Sequence, residues 1–286
     1  MNKNKTLFGL PSKVKFCKQC VISNQRPITL VETKHTKNKK KETTFFDKDG
    51  VCDPCKWAII KKKDIDWKKR EQELLVLLDK YRSKDGSYDV VVPASGGKDS
   101  IYVAHLLKYK YDMNPLTVTW APHIRTEIGQ KNFDSMIDSG LDNITINPNS
   151  KLHKQLTRLA FLNLGHPFQP FIIGQRVVGP KIAIEKNIKL IFYGENVAEY
   201  GNRIKDNFSP LMDTSLISAF DTNNDNLYLS GERIGDLKKK LSITSNELEI
   251  YKSPTQKQIK KSNIQVHYMS YYRFWSQQEN FYYASE

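Results

Sequence analysis

A short apolar run followed by a serine–glycine turn constrains the fold of this chain more than any other stretch. Residues 90–92 are three consecutive valines, a pattern typical of a strand buried on both faces of a parallel sheet. In the turn at residues 95–97, glycine tolerates a positive φ without a Cβ clash. Apolar residues at helical spacing then follow from Ile101. Strand, turn and helix in this order predict an α/β fold with a ligand site at the turn.

The turn also has the composition of a phosphate-binding loop. Unpaired N–H groups at the start of the helix and the positive end of its dipole both favour an anion there. Lys98 adds a positive charge, whereas Asp99 would repel a phosphate and suits instead the Mg²⁺ that accompanies a triphosphate. The residues predicted to bind the nucleotide are Ser95, Gly96, Gly97, Lys98, Asp99 and Ser100.

These six residues, SGGKDS, resemble the SGGxDS motif (the PP-loop) of the N-type ATP pyrophosphatases. The P-loop pattern GxxxxGK[ST] is absent. The resemblance implies that ATP is cleaved between its α and β phosphates and that AMP is attached to an oxygen of a second substrate. It implies a catalytic role for Lys98 and Asp99. A glycine turn that binds no ligand is the alternative interpretation.

Further strand patterns extend the sheet. Residues 116–120, 141–147 and 188–193 are apolar or β-branched runs separated by helical patterns, as in βαβ units with right-handed crossovers. Ligands of open parallel sheets bind beyond the carboxyl ends of the strands. That rule predicts a further set of nucleotide-site residues: Trp120, Gly194, Glu195 and Asn196.

Two acidic residues and one loop are candidates for catalysis and substrate binding. Glu199 follows the fourth strand and, with Asp99, is the predicted Mg²⁺ ligand and a predicted catalytic residue. A helix N-cap is the alternative role for Glu195 or Asn196. The proline-punctuated loop at residues 165–171 is expected to cover the site. The predicted substrate-binding residues are His123, His166, Gln169 and Gln175; a loop histidine such as His166 can also be structural or merely exposed.

All four cysteines precede residue 56 and form two C-x-x-C pairs, Cys17 with Cys20 and Cys52 with Cys55. Two such pairs complete a structural tetrahedral zinc site. A redox pair would not need a second copy, and disulfides are disfavoured in the cytoplasm. Residues 1–65 are therefore predicted to be a zinc-ribbon-like module with a basic loop at 31–44, followed by a connecting helix at 66–86.

The net positive charge of the chain has two possible explanations. Lysine and arginine total 45 against 31 acidic residues, a net charge of +14. This excess indicates either a nucleic-acid partner or a general lysine- and asparagine-rich bias. The sequence shows neither an apolar run of about 18 residues nor an apolar signal-peptide core. We therefore expect a cytoplasmic protein without a membrane span.

Taken together, several separate motifs resemble the N-acetyl sugar amidotransferase family, a branch of the PP-loop enzymes that acts in lipopolysaccharide and flagellar-glycan biosynthesis. The resemblance covers nearly the whole chain. The motifs are CxxCVISNxRP from residue 17, GVCxxC from 50, DW at 66, PASGGKDS from 93, VTWAPH from 118, HPFQP from 166 and YGENxxEYG from 193.

The resemblance implies the conversion of an acetamido group on a nucleotide-linked sugar to an acetamidino group, with ATP and Mg²⁺. It implies ammonia from a glutaminase resembling that of histidine biosynthesis, with a synthase-like companion subunit. Residues 87–204 would form the PP-loop domain. Residues 205–286 would form a family-specific segment, shortened relative to the family.

Two other classes of function stay open at this point. A tRNA-modifying PP-loop ligase, lysidine-synthetase-like or thiolase-like, would explain the positive charge. Thiolating members use cysteines of the ATP domain, and residues 56–286 contain none. The third possibility is a non-catalytic scaffold, which ATP-dependent release of AMP would exclude.

Overall fold

Five parallel strands form the central sheet. The structure is a computed structural model, and it describes residues 10–28, 42–196, 199, 203–204, 208–218 and 220–286. The strands are β1 (Val90–Pro93), β2 (Pro115–Trp120), β3 (Asp142–Ile146), β4 (Leu190–Tyr193) and β7 (Gln265–Tyr268). Their order in the sheet is β3-β2-β1-β4-β7, and all four pairings are parallel. The predicted α/β class with a parallel sheet is confirmed.

The three inner strands are apolar because helices cover both faces of the sheet. Every residue of β2 is buried, and so are residues 90–92 of β1 and 190–192 of β4. One hydrophobic core lies between one face of the sheet and the helical segments that carry Leu78 and Leu107. The other core lies between the opposite face and the helices that carry Leu156 and Ile182. This double coverage explains the continuous apolar runs from which the strands were predicted.

The helices are α1 (Asp53–Lys63), α2 (Trp67–Tyr81), α3 (Lys98–His105), α4 (Glu127–Asp138), α5 (Ser150–Leu164), α6 (Gln169–Glu185), α7 (Thr214–Ile217), α8 (Ile234–Leu241), α9 (Gln256–Ser262), α10 (Met269–Tyr272) and α11 (Gln277–Ser285). A π-helical turn (Leu106–Lys110) continues α3, a 3₁₀ helix spans Asn246–Tyr251, and β5 (Tyr228–Leu229) pairs with β6 (Glu232–Arg233) as a small hairpin. Among the described residues, no helix has both the length and the apolar character needed to cross a membrane.

Local capping explains where several of these helices begin. Asp66 accepts a hydrogen bond from the backbone N–H of Lys69 at 3.0 Å and starts α2, the connecting helix that the sequence predicts. Thr126 caps α4 in the same way. Helix α6 starts at Gln169, inside the loop predicted at residues 165–171, and Pro170 suits a first helical turn, where its missing N–H is not needed.

The fifth strand comes from the C-terminal part of the chain. β7 pairs with β4, and α11 packs against α3, so residues after 264 belong to the same layered unit as the glycine turn. The aromatic stretch that follows residue 266 is largely core, with Tyr272 and Trp275 buried. The division of the chain at residue 204 stays a prediction.

Among its described residues, the N-terminal module contains three antiparallel bridges, Phe16 with Ser23, Pro27 with Thr43 and Phe46 with Cys52. Thr44 donates its N–H to the carbonyl of Arg26 at 2.9 Å, and Phe46 pairs with Cys52 across a turn at Gly50, whose φ is +79°. Helix α1 then begins immediately after Cys52. Of the predicted basic loop at 31–44, only residues 42–44 fall within the described residues.

Candidate active site and metal centre

The glycine turn leads directly from β1 into α3. Gly96 has a φ of +85°, and a Cβ there would lie 2.8 Å from the backbone nitrogen of Phe133. Only glycine fits both requirements. Gly97 is the N-cap of α3 and has no side chain to satisfy the first N–H groups. Those groups are therefore left for a ligand.

A cavity of about 400 Å³ opens at this turn. Its walls come from the carboxyl ends of β1 and β4, from α6 and from Tyr268 at the end of β7. β1 and β4 are adjacent strands, and the chain leaves them towards opposite faces of the sheet. Open α/β sheets bind ligands at such a point. The predicted residues that line it are Ser95, Gly97, Asp99, Ser100, Gln175, Gly194 and Glu195.

Both carboxylate oxygens of Asp99 have partners. Lys98 Nζ lies 2.5 Å from Asp99 Oδ2, and Asn280 Nδ2 donates to Asp99 Oδ1 at 3.0 Å. Asn280 is buried on α11, so the C-terminal helix orients an acidic side chain that the sequence assigned to the nucleotide site. Asn280 carries no sequence signal, and the sequence analysis missed it.

Glu195 is a second carboxylate beside the turn. Burial raises its pKa, and the nearby negative charges of Asp99 and Glu199 raise it further, against the opposing charge of Lys98. Two partly buried carboxylates facing one cavity are the donors that a divalent cation accepts. Asp99 and Glu195 are the two carboxylates among the residues that line this cavity.

Glu199 lies instead against the N-terminal module. Its Oε1 accepts from Trp57 Nε1 at 2.7 Å, and its Oε2 pairs with Lys61 Nζ at 2.8 Å. Lys61 also donates to the carbonyl of Trp275 at 3.1 Å. These contacts join α1 to the end of β4. The role of Glu199 as a Mg²⁺ ligand stays a prediction.

Two amide side chains that the sequence assigns to the site, Asn196 and Gln169, instead accept hydrogen bonds from backbone N–H groups. Asn196 Oδ1 accepts from the N–H of Glu199 at 3.3 Å, a local turn of the kind weighed as its alternative role. Gln169 Oε1 accepts from the N–H of Ser230 at 2.9 Å and holds the small hairpin against α6. Neither residue lines the cavity at the turn.

Helix α6 adds a positive side chain to the cavity. Gln175, which the sequence predicts, and its neighbour Arg176 both line the cavity. Burial raises the pKa of Tyr193, at the end of β4, and Arg176 partly offsets that effect, so the two groups lie within electrostatic range. Adjacent polar residues on an otherwise apolar helix are the sequence signal for Arg176.

Trp120 and His123 lie at a different part of the same sheet edge. Trp120 is buried, and a Cβ added at Gly174 would lie 2.2 Å from its indole ring, so the ring sits in the core. His123 lines a second cavity of about 520 Å³, formed at the carboxyl ends of β2 and β3. His166 lines neither cavity, although its neighbour Pro167 lines the second.

The four cysteines meet in one cluster. All four Sγ atoms lie within 4.8 Å of one another, with Cys17 and Cys55 at 3.9 Å and Cys20 and Cys52 at 3.6 Å. Zn–S bonds of about 2.3 Å in a tetrahedron place the sulfurs about 3.8 Å apart. The cluster therefore fits a metal such as zinc, in agreement with the sequence prediction.

Backbone donors favour the ionised thiols that a metal needs. The N–H groups of Gln19 and Cys52 both donate to Cys17 Sγ at 3.3 Å. Burial raises the pKa of Cys17, but these backbone donors outweigh burial and bring it to about 6. Burial raises the pKa of Cys52 to about 11. A bound cation would offset that cost, because ligation requires thiolates.

Comparison with known proteins adds no family assignment. No protein-family model matches the chain. A comparison with curated proteins also finds no significant match.

Proposed function

We propose that this chain is an ATP-dependent amidotransferase. It would convert an acetamido group of a nucleotide-linked sugar to an acetamidino group, releasing AMP and pyrophosphate, in surface-glycan biosynthesis. One observation carries the proposal. The glycine turn, with free N–H groups at the start of α3, opens into a cavity that also contains Asp99 and Glu195.

The chemistry requires activation of an unreactive amide. The acetamido oxygen attacks the α phosphorus of ATP, and the bond to the bridging oxygen breaks to release pyrophosphate. Ammonia then adds to the activated carbon. Loss of a proton and of AMP leaves the amidine, with one nitrogen gained and the amide oxygen retained in AMP.

Named residues supply what this reaction needs. The N–H groups at the start of α3 and the Lys98 ammonium would bind the departing pyrophosphate. Arg176 faces the same cavity and would bind the phosphate chain from the opposite wall. Asp99 and Glu195 would hold Mg²⁺, which neutralises charge that develops on the phosphates.

The source of nitrogen would lie outside the chain. All four cysteines belong to the metal cluster, so no thiol is left to attack glutamine. A partner glutaminase, with a synthase-like companion subunit, would supply ammonia. The resemblance of the motifs to the sugar amidotransferases supports the same partner.

The test is AMP release from ATP with ammonium chloride as the nitrogen donor. Acetamido sugar nucleotides and total tRNA are compared as substrates. AMP formed with a sugar nucleotide, and lost in Asp99→Asn, would support the proposal. Asp138→Asn, an exposed aspartate on α4, is the matched control and should keep full activity.

Other outcomes would overturn the proposal. AMP formed only with tRNA would favour the ligase alternative, which the net charge of +14 also supports. Absence of AMP with every substrate, in a preparation that binds ATP, would favour a non-catalytic role.

A further inference from the structure

The second cavity has the size of a nucleotide site but lies apart from the glycine turn. Its volume of about 520 Å³ falls within the range of ligand pockets. It is bounded by the segments after β2 and β3, by one face of α5 and by Pro167 before α6. No residue lines both cavities. It is therefore a separate site at the same edge of the sheet.

The charge of this cavity suits an anion. Lys154 and Arg158, one turn apart on α5, both line it, and no acidic residue does. Within the described parts of the chain, neither side chain forms an ion pair. Two uncompensated cations at i and i+4 are arranged to bind one phosphate or a pair of phosphates.

The inner wall is aromatic and has unused polar atoms. The His123 ring stacks on the His153 ring, with centroids 4.4 Å apart and planes 17° apart. His153 is 4% exposed, and its Nδ1 is hydrogen-bonded to the Tyr251 hydroxyl at 2.5 Å. The Nε2 atoms of both histidines are buried and have no hydrogen-bond partner. Such atoms are costly unless a ligand satisfies them.

We propose that this cavity binds the nucleoside phosphate of the acceptor substrate, with the phosphates on Lys154 and Arg158 and the base against the histidine pair. The role as acceptor site rests on the proposed function. The glycine turn accounts for the triphosphate of ATP. The second cavity opens at β2, the strand beside β1, so the two bound substrates would lie side by side.

Direct binding tests the proposal without any turnover. Isothermal titration calorimetry measures UDP, CMP and ATP binding to the full zinc-loaded chain. We expect UDP or CMP to bind with a Kd below about 1 mM and Arg158→Glu or Lys154→Glu to weaken that binding at least about tenfold. ATP binding should change less than about threefold.

Lys151→Glu is the matched control, because Lys151 is an exposed cation on the same helix that does not line the cavity. It should weaken UDP or CMP binding by less than about twofold. His123→Phe keeps an aromatic ring without the nitrogens and should weaken UDP or CMP binding but not ATP binding.

Three outcomes would overturn the proposal: neither UDP nor CMP binds, Lys151→Glu weakens binding as much as Arg158→Glu, or the charge reversals weaken ATP binding equally. These results are separable from the fate of the proposed function. Nucleotide binding that depends on Arg158, without AMP release from any acetamido sugar nucleotide, would leave the cavity assignment standing and reject the reaction.

Discussion

The indole Nε1 of Trp57 donates a hydrogen bond to Glu199 Oε1 at 2.7 Å, across 142 positions of the chain. Trp57 stands two residues after Cys55 of the four-cysteine cluster, and Glu199 follows β4, whose end lines the cavity at the glycine turn. The carboxylate also pairs with Lys61, and both members of that pair are at most 12% exposed. Glu199 thereby helps to attach the four-cysteine module to the segment after β4, together with the contact between Lys61 and the carbonyl of Trp275.

The first prediction concerns this attachment. Trp57→Phe keeps most of the ring but removes the donor, so a largely buried carboxylate loses one of its two partners. We expect the free energy of unfolding to fall by about 1–3 kcal/mol in urea denaturation.

A double-mutant cycle provides the control. In a Glu199→Ala background the same tryptophan change should cost much less, because its partner is already gone. An equal cost in both backgrounds would assign the effect to ring packing and refute the role of the hydrogen bond.

The second prediction separates the two adjacent glycines of the turn. Gly96→Ala combines a φ of +85° with a Cβ 2.8 Å from Phe133, so it should destabilise the fold by about 1–3 kcal/mol and weaken ATP binding at least tenfold. Gly97→Ala is the matched change, because the nearest atom to its Cβ would be 3.9 Å away.

Gly97→Ala should therefore leave the free energy of unfolding within about 1 kcal/mol of the original. Thermal denaturation and calorimetric ATP titration measure both effects. Equal losses in the two variants would show that the positive φ of Gly96 does not decide the shape of the turn.

The third prediction concerns removal of the metal. Cys52 is fully buried and has Cys17 and Cys20 as neighbours, so Cys52→Ser should reduce bound zinc from one equivalent to nearly none. Elemental analysis gives the stoichiometry, and limited proteolysis reports whether residues 10–28 and 42–63 remain folded.

Gln19→Ala controls for changes within the same knuckle. Gln19 contributes only its backbone N–H to Cys17, so this variant should keep its zinc. A full equivalent of zinc in Cys52→Ser would refute the four-thiolate arrangement.

The fourth prediction follows from a buried histidine. Burial, with a smaller contribution from His123, lowers the pKa of His153 to about 4, against about 6.5 in the unfolded chain. Below pH 6.5, His153 therefore binds a proton in the unfolded state but stays neutral in the folded state until the pH approaches 4. The stabilising contribution of His153 is complete above pH 6.5 and declines as the pH falls towards 4, by up to about 1.4 kcal/mol per pH unit.

Urea denaturation at pH 7.5, 6.0 and 5.0 measures this slope. His153→Phe should show a shallower decline than the original chain, and the difference at pH 7.5 gives the cost of the substitution that does not depend on pH. His267, whose pKa burial also lowers to about 4, remains in both proteins and contributes equally. Parallel slopes would contradict the prediction.

Local patterns predict four of the five strands of the sheet. The three inner strands are correctly predicted because their apolar runs reflect burial on both faces, and the edge strand β3, which is partly exposed, is also predicted. The fifth, β7, is missed, since Gln265 and His267 interrupt its apolar pattern with polar residues. His267 is tolerated in the core because Tyr272 and Gln265 supply hydrogen bonds to both of its nitrogens.

The sequence likewise predicts only part of the candidate site. Four of the six turn residues, Ser95, Gly97, Asp99 and Ser100, line one cavity, because neighbours in the chain stay neighbours in space. Trp120 and His123 are placed at the correct edge of the sheet, but Trp120 is in the core and His123 in a separate cavity. Strand order along the edge decides that separation, and no local pattern encodes strand order.

The sequence by itself determined the features that short segments specify: the strand, the glycine turn and the two cysteine pairs whose spacing matches a metal. Only the tertiary structure decided which partners the acidic residues have. Asp99 meets Asn280 because α3 and α11 pack together, and Glu199 meets Trp57 because α1 contacts the segment after β4. Such contacts depend on the packing of whole elements, which residue types at one position do not reveal.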